Sequence, residues 1–272
     1  LLDEDKTLRF ENDAETKQLL LSAMGNMQID VALSKLKSRN GLDVVLSAPR
    51  IAYRETIKGR SDVQGKHKKQ SGGHGQYGDV KIRFSPGEGD GLTFTQSVVG
   101  GSVPKNYFPA IEKGLLEAMQ KGVLAGYPVV GLAADLYDGS YHDVDSNELS
   151  FKMAASLAYK AGLPLAKPVL LEPIGELKVT IPDSVVGAVM GDINSKRRGT
   201  VLGSNPAEGK PGYTTIDAEV PKATMVEYTI DLRAMTQGKG SYSFYFVRYD
   251  EVPGSEAQKI IAEAKANMSE ED

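Results

Sequence analysis

The sequence of 272 residues contains no cysteine and no tryptophan. Without cysteine it has neither disulfides nor thiolate metal sites, and it fits a reducing cytosol. No apolar run approaches roughly 18 residues and no signal peptide opens the chain, so the sequence indicates neither a membrane span nor secretion. We therefore expect a cytoplasmic protein.

An excess of positive charge is also absent, since 32 Lys and Arg stand against 36 Asp and Glu. Any nucleic-acid binding must then come from local basic clusters. The hydrophobic fraction of 40% is that of a globular protein, and the length allows two or three domains. The chain opens at Leu1 without a visible domain start, which predicts a fragment of a longer protein.

The stretch from Asp138 to Gly162 reads as a polar loop that leads into a helix. Asp145 and Glu148 have the spacing of a capping pair at the start of this helix. Apolar residues recur at every fourth position, with Ala154 and Ala158 beside them, and predict one inward-facing stripe: Leu149, Met153, Leu157 and Ala161. The loop Ser140–Ser146 is thus expected on a helix N-terminus and is the first candidate site.

The first 48 residues predict strands over Thr7–Phe10 and Lys17–Ala23, then a helix ending near Asn40, then a strand over Leu42–Leu46. This order is most of a split βαβ unit whose opening strand and helix are missing. It again predicts a neighbouring segment upstream.

A basic stretch follows, with Lys58, Arg60, Lys66, Lys68 and Lys69 against a single Asp62 before Gln70. Lysines of this kind either prevent an exposed edge strand from pairing with another chain or attract phosphates, and the sequence leaves both interpretations open.

The basic stretch ends in SGGHGQYG, in which Gly73, Gly75 and Gly78 satisfy the pattern G-x-G-x-x-G. A nucleotide loop of this type would open a helix or precede kinase motifs, whereas here an alternating strand follows and those motifs are absent. We predict instead a flexible polar loop at the end of a domain, whose glycine backbone can approach another surface closely. If Ser71–Gly78 and Ser140–Ser146 lie together, the domain has one functional tip.

Other chemistries fit the loop Ser140–Ser146 poorly. A calcium loop opening at Asp143 would need Gly at its sixth position and Glu at its twelfth, and neither is present. Ser140, His142 and Asp143 have the residue types of a hydrolytic triad without its spatial arrangement. None of the three histidines shows a helical zinc spacing, so we predict no catalytic residue and no metal site.

Beyond Gly162 the residues Pro164–Lys167 predict a linker, and the chain then reads as βαββαβ up to Tyr249, followed by a helix over Ser255–Ala266. Two basic corners lie in this part, at 196–198 and at Arg233 with Gln237. Complementarity with the helix dipoles explains them as well as ligand binding does.

Six motifs in chain order carry a family resemblance: YRETI, KQSGGHGQYG, LAGYPV, GSYHDVDSNE, KPVLLEPI and DLRAMTQGKG. The chain resembles translation elongation factor G over its third, fourth and fifth domains. The resemblance implies an α+β multidomain fold. Two ferredoxin-like split βαβ domains, the first truncated, would flank an elongated α+β domain similar to the second domain of ribosomal protein S5. The corresponding boundaries are 1–48, 49–166 and 167–253, with a helix and acidic tail over 254–272.

The resemblance also implies a function, namely binding to the ribosome and promotion of tRNA–mRNA translocation. The implied RNA-binding tip comprises Ser71, Gly72, Gly73, His74, Gly75, Gln76, Tyr77, Ser140, Tyr141, His142, Asp143, Val144 and Asp145. The implied ribosome-contacting residues are Lys66, Lys68, Lys69, Lys196, Arg197, Arg198, Arg233 and Gln237. The implied partners are the decoding region of the small subunit, the tRNA–mRNA pair, and the sarcin–ricin loop and stalk base of the large subunit. We expect a monomer that does not bind membranes.

No G-x-x-x-x-G-K-[ST] motif is present. The resemblance therefore places the GTP-binding domain, with GTP and magnesium, upstream of Leu1. The parent protein would be a ribosome-dependent GTPase, and this chain alone should hold no cofactor and catalyse no reaction.

Some positions depart from the family, which has Arg in place of His74, a Gly-Glu-Leu-His-Leu-Glu motif in place of Gly25–Asp30, and commonly Pro in place of Lys6. A second hypothesis is therefore a specialised paralogue that acts in recycling, protection or stress without translocase activity. The YHDVDS loop argues against the tetracycline-protection branch. An unrelated RNA-binding module is a third interpretation, which the truncated first domain disfavours.

Overall fold

A computed structural model describes residues 2–70 and 75–270. The chain divides into two compact units, one formed by residues 1–52 and 173–248 and the other by residues 53–172 and 249–272. Helices and several separate sheets occur, which confirms the predicted α+β multidomain class. The predicted domain boundaries and the likeness to ribosomal protein S5 stay predictions.

The N-terminal segment is a hairpin followed by a helix. Strand β1 (Arg9–Asp13) pairs antiparallel with β2 (Gln18–Ser22), and helix α1 (Asn26–Asn40) ends at Gly41 with a left-handed φ of 66°. The predicted strand over Leu42–Leu46 is wrong, because residues 41–53 form neither strand nor helix. A strand needs a hydrogen-bonded neighbour, and here the Gln18 side chain instead accepts the Arg50 N–H at 2.6 Å.

The central unit contains a four-stranded sheet in the order β4-β5-β7-β6, antiparallel except for the β6–β7 pair. Helix α3 packs on β4 and β5, and α2 packs beside α3. The elements are β3 (Arg54–Ile57), β4 (Ser61–Lys69), β5 (Gln76–Pro86), β6 (Leu92–Gln96), α2 (Phe108–Ala118), β7 (Leu132–Ser140) and α3 (Glu148–Gly162). The apolar core lies between the sheet and the two helices.

Helix α3 buries only part of the predicted stripe, namely Ala154 and Ala158. Leu149 is 53% exposed, and Met153 and Leu157 are exposed as well. The buried face carries Phe151, Ala154, Ala155, Ala158 and Tyr159 instead. Small residues face the sheet because the helix lies against glycine. A Cβ on Gly65 of β4 would stand 2.1 Å from the Ala154 carbonyl oxygen.

The cap of helix α3 also differs from the prediction. The Asn147 side-chain oxygen accepts the Ser150 N–H at 2.8 Å, so Asn147 rather than Asp145 is the N-cap. The boundary of the helix was predicted to within two residues, but the choice between neighbouring cap residues depends on backbone dihedrals. Asp145 therefore does not cap the helix, and its side chain makes a hydrogen bond to a loop residue instead.

The sequence motifs around Glu55 and Leu124 are hydrogen-bonded to each other within the central unit. Glu55 is only 1% exposed. Its carboxylate accepts the backbone N–H groups of Leu124, Ala125 and Tyr127 at 2.8, 2.8 and 3.1 Å. A buried carboxylate needs such donors, so this pair of sequence motifs holds the loop before β7 in place.

The C-terminal elements have the predicted order βαββαβ, and their sheet runs β11-β8-β10-β9, with β3 paired to the first residues of β8. They are β8 (Pro168–Pro182), α4 (Val186–Gly191), β9 (Thr200–Pro206), β10 (Tyr213–Pro221), α5 (Tyr228–Thr236) and β11 (Ser241–Glu251), and helix α6 (Gly254–Glu270) follows. The linker at 164–167 stays a prediction; within it Ala166 is buried and its carbonyl accepts the Gly59 N–H at 2.8 Å.

Candidate nucleic-acid interface

The two predicted loops lie together at one end of the central sheet. The Gly75 N–H donates to Asp145 Oδ1 at 2.9 Å, and the Tyr77 N–H donates to the Asp145 carbonyl at 2.9 Å. This contact confirms that the loops meet. We call residues 75–77 and 140–146 the tip. The predicted residues Ser71, Gly72, Gly73 and His74 lie outside the described residues.

The buried carboxylate group of Asp79 is hydrogen-bonded to the tip. Asp79 is 5% exposed and accepts hydrogen bonds from Gln64 Nε2 and Ser140 Oγ, both at 2.7 Å. The hydroxyl groups of Ser140 and Tyr77 are also 2.7 Å apart. This chain of polar contacts fixes Tyr77 and the end of β7. Neither Asp79 nor Gln64 is indicated by the sequence, because neither belongs to a periodic pattern and their strands meet only in the fold.

Two glycines of the G-x-G-x-x-G pattern serve packing. A Cβ on Gly75 would lie 3.0 Å from the Asp145 carboxyl group, and a Cβ on Gly78 would lie 2.4 Å from the Ser150 carbonyl oxygen. Both distances are shorter than van der Waals contact. The pattern therefore permits close packing against the second loop and helix α3.

His142 is one of the exposed residues of the tip, with 56% of its side chain accessible. The backbone N–H groups of Val144 and Asp145 donate to its Nδ1 at 3.4 and 3.3 Å. Its own N–H donates to Ser146 Oγ at 2.9 Å. The imidazole is thus held by the turn on one side and open to solvent on the other. Tyr141, Asp143 and Val144 beside it are also exposed.

A recess of about 180 Å³ opens where the tip meets the basic end of β4. It is lined by Lys68, Lys69, Gln70, Gln76, Tyr77, His142 and Asp145. Donors, an acceptor and an aromatic face are therefore combined in one place. Such a set can bind phosphate and sugar oxygens and flat bases.

The lysines at the end of the basic stretch lie on β4, an edge strand of the described sheet, whereas Lys58 and Arg60 precede that strand. Lys66, Lys68 and Lys69 are exposed, and Lys66 Nζ lies 5.4 Å from the centre of the Tyr77 ring. An edge strand guarded by lysines is thus present, and the same lysines lie beside the tip. Both interpretations of the stretch fit this position.

One ion pair lies behind the tip, where Lys81 Nζ donates to Asp138 Oδ2 at 2.8 Å. This hydrogen bond, aided by the Gly139 N–H and Ser102, lowers the pKa of Asp138 to about 2. The same contact raises the pKa of Lys81. Both groups therefore stay charged at neutral pH.

The basic residues of the C-terminal part do not all reach the surface. Arg197 is 2% exposed, and its guanidinium donates to Asp192, Asp231 and the Thr224 carbonyl. Every nitrogen of the guanidinium group donates within its own unit, so Arg197 has a structural role there. A direct contact of Arg197 with the ribosome stays a prediction.

The other residues of these corners lie at the surface. Lys196 donates to Asp231 at 2.7 Å, and this hydrogen bond is the largest cause of the lowered pKa of Asp231. Arg198 and Gln237 are exposed and have left-handed φ values of 52° and 53°. Arg233 donates to the Met24 carbonyl at 3.0 Å.

Residues 2–70 and 75–270 include no group of three His, Asp or Glu side chains arranged for a metal ion. Among the same residues, no helix is long and apolar enough to cross a membrane.

Comparison with known proteins places the whole fold in context. Residues 1–48 match the family "Elongation Factor G, domain III", residues 49–167 match "Elongation factor G, domain IV", and residues 169–260 match "Elongation factor G C-terminus". An elongation factor G-like protein of Thermotoga maritima is 47% identical over all of this chain, which spans 40% of that protein. A crystal structure of a Thermus thermophilus protein superposes with a TM-score of 0.84 at 46% identity, over 97% of this chain and 39% of that one.

The fold and its three consecutive family matches are those of the C-terminal domains of a translation elongation factor. The chain belongs to the elongation factor G family. It spans about two fifths of the length of these relatives.

Proposed function

We propose that this chain is the ribosome-binding C-terminal part of an elongation factor G-like GTPase that promotes tRNA–mRNA translocation. The observation that carries the proposal is the tip, where two loops are bonded into one surface that exposes His142. RNA is recognised through shape, phosphates and sugar hydroxyls, and a polar surface of this kind needs no deep pocket.

In this proposal the tip enters the decoding region of the small subunit and contacts the tRNA–mRNA pair. Lys66, Lys68 and Lys69 add attraction for phosphates along the edge strand. The exposed residues of the two basic corners, Arg198, Lys196 and Gln237, contact the large subunit near the sarcin–ricin loop and stalk base. The protein acts in the cytoplasm as a monomer.

The mechanism requires no bond to be made or broken by this chain. The tip is rigid and prevents the displaced tRNA from moving back. Because the relatives are longer than this chain, GTP and magnesium are assigned to another part of the parent protein, which drives or gates the step.

The test is His142→Ala in the full-length parent protein. We expect translocation to slow about threefold to tenfold, the effect of losing one hydrogen bond, while ribosome-stimulated GTP hydrolysis stays nearly unchanged. Glu112→Ala, an exposed change on helix α2, is the control. An equal loss of translocation and hydrolysis would refute the assignment of the tip.

A second candidate is a specialised paralogue without translocase activity. Its support is the departure from the family at Gly25–Asp30 and the name of the Thermotoga maritima relative, which is an elongation factor G-like protein. Toeprinting of mRNA on pre-translocation ribosomes separates the two. An advance of one codon supports the translocase, whereas GTP hydrolysis without an advance supports the paralogue.

A further inference from the structure

Asp145 joins the two loops of the tip through both its side chain and its main chain. Oδ1 accepts the Gly75 N–H at 2.9 Å and the backbone carbonyl accepts the Tyr77 N–H at 2.9 Å. The fit is close, since a Cβ on Gly75 would lie 3.0 Å from the carboxyl group. The position of the first loop therefore depends on Asp145.

The same turn sets the orientation of the His142 ring. Nδ1 lies 3.4 Å from the Val144 nitrogen and 3.3 Å from the Asp145 nitrogen, and both N–H groups point to it. The Asp145 carboxylate is farther away, at 3.5 Å. An imidazole nitrogen that accepts hydrogen bonds carries no proton, so the proton of the neutral ring resides on Nε2.

A flip of the ring would oppose this arrangement. It would replace Nδ1 by a carbon atom and leave the two backbone N–H groups without that acceptor. The turn thus favours one of the two ring orientations. In that orientation Nε2–H is directed away from the turn, on the side of the ring that is open to solvent.

We propose that Asp145 is a positioning residue, whose turn keeps Nδ1 of His142 inward so that the ring presents Nε2–H as a hydrogen-bond donor to an acceptor oxygen of RNA. Only the last step, the RNA acceptor, rests on the proposed function. Phosphate, ribose hydroxyl and base carbonyl oxygens are the acceptors of this chemical class.

The side chain of Asp145 acts through an oxygen atom and not through its charge. Asp145→Asn retains an oxygen for the Gly75 N–H, and its amide group can also donate to Nδ1 of His142. Asp145→Ala has no acceptor for the Gly75 N–H. The two variants therefore separate positioning from a general effect of negative charge, and Asp90→Asn at an exposed turn is the matched control.

The histidine can be tested in the same way. Glutamine places its terminal nitrogen near the Nε2 position of histidine, whereas asparagine reaches only the Nδ1 position. We expect His142→Gln to retain translocation within about twofold and His142→Asn to lose as much as His142→Ala, about threefold to tenfold. Asp145→Asn should stay near the wild type, and Asp145→Ala should lose about the same factor.

The first measurement is nitrogen-15 NMR of the 272-residue chain, with the His142 signals assigned by their loss in His142→Gln. We expect the proton on Nε2, and faster exchange of the Gly75 amide in Asp145→Ala but not in Asp145→Asn. A proton on Nδ1, or equal losses in the two Asp145 variants, would overturn the positioning role. If the NMR results are as expected but every variant translocates at the normal rate, the proposed function fails and the donor role with it.

Discussion

Gly78 is the position where a single methyl group should most clearly disturb the tip. In Gly78→Ala the new Cβ would lie 2.4 Å from the Ser150 carbonyl oxygen and 2.9 Å from the Phe151 nitrogen. Both partners are backbone atoms of the first turn of α3, and both residues are buried. Neither can rotate away, so the first turn of the helix must move by about 1 Å to restore van der Waals contact.

The magnitude follows from two opposing effects. Overpacking of this kind costs about 1–3 kcal/mol, and rigid backbone neighbours place it near the upper end. The lower entropy of the unfolded chain with alanine returns about 0.4–1 kcal/mol. We expect the free energy of unfolding to fall by about 2 kcal/mol.

The functional effect should be larger than the stability effect. The first turn of α3 carries the Asn147 cap and the loop with His142, so its displacement moves the tip. A displacement of about 1 Å can cost up to about a hundredfold in a step that depends on geometry. Translocation by the full-length protein should therefore slow more than tenfold.

The assay is urea-induced unfolding followed by circular dichroism, with translocation measured in parallel. Gly91→Ala is the matched control, because a Cβ there meets no atom within 4 Å and the glycine has no positive φ. That variant should be neutral or slightly stabilised. If Gly78→Ala were as stable and active as Gly91→Ala, the packing argument for this glycine would be wrong.

Two further predictions concern carboxylates. Glu55→Gln should lower the free energy of unfolding by about 2–4 kcal/mol, because a buried anion with three N–H donors becomes a neutral amide. The control is Glu112→Gln at an exposed position, which should change the free energy of unfolding by less than about 0.5 kcal/mol. Equal effects of the two variants in urea titrations would contradict the role of Glu55. The folded pKa of Asp138 is about 2, below its ordinary value of 3.8, so its contribution to stability is complete above about pH 4 and is lost as the pH falls towards 2. Asp138→Asn should flatten the dependence of stability on pH in that window, and an unchanged profile would count against the pairing with Lys81.

Local signals in the sequence were sufficient for much of the fold. The alternation after Gly78 predicted β5, and the order βαββαβ over the last hundred residues was found in the structure. Period, glycine and proline positions act over a few residues and need no distant partner. The two loops were considered as one tip on the condition that they lie together, and the family resemblance placed both at the tip; the hydrogen bond between Gly75 and Asp145 fulfils the condition.

The errors share one physical cause. The burial of Arg197 is not visible in its basic run, because the partners that bury it, Asp231 and Thr224, follow about 30 residues later. The strand over Leu42–Leu46 had the right composition and no neighbour to pair with. In helix α3 the larger apolar residues formed the more regular stripe, yet alanines were buried because the helix rests on Gly65.

Short-range patterns and motifs are sufficient to predict the α+β class, the order of most elements, the family and the two loops of the candidate site. The buried face of α3, the carboxylates that support the tip and the orientation of the His142 ring became known from the fold. Those properties depend on contacts between residues far apart in the chain or on backbone dihedrals, and a linear pattern does not specify either.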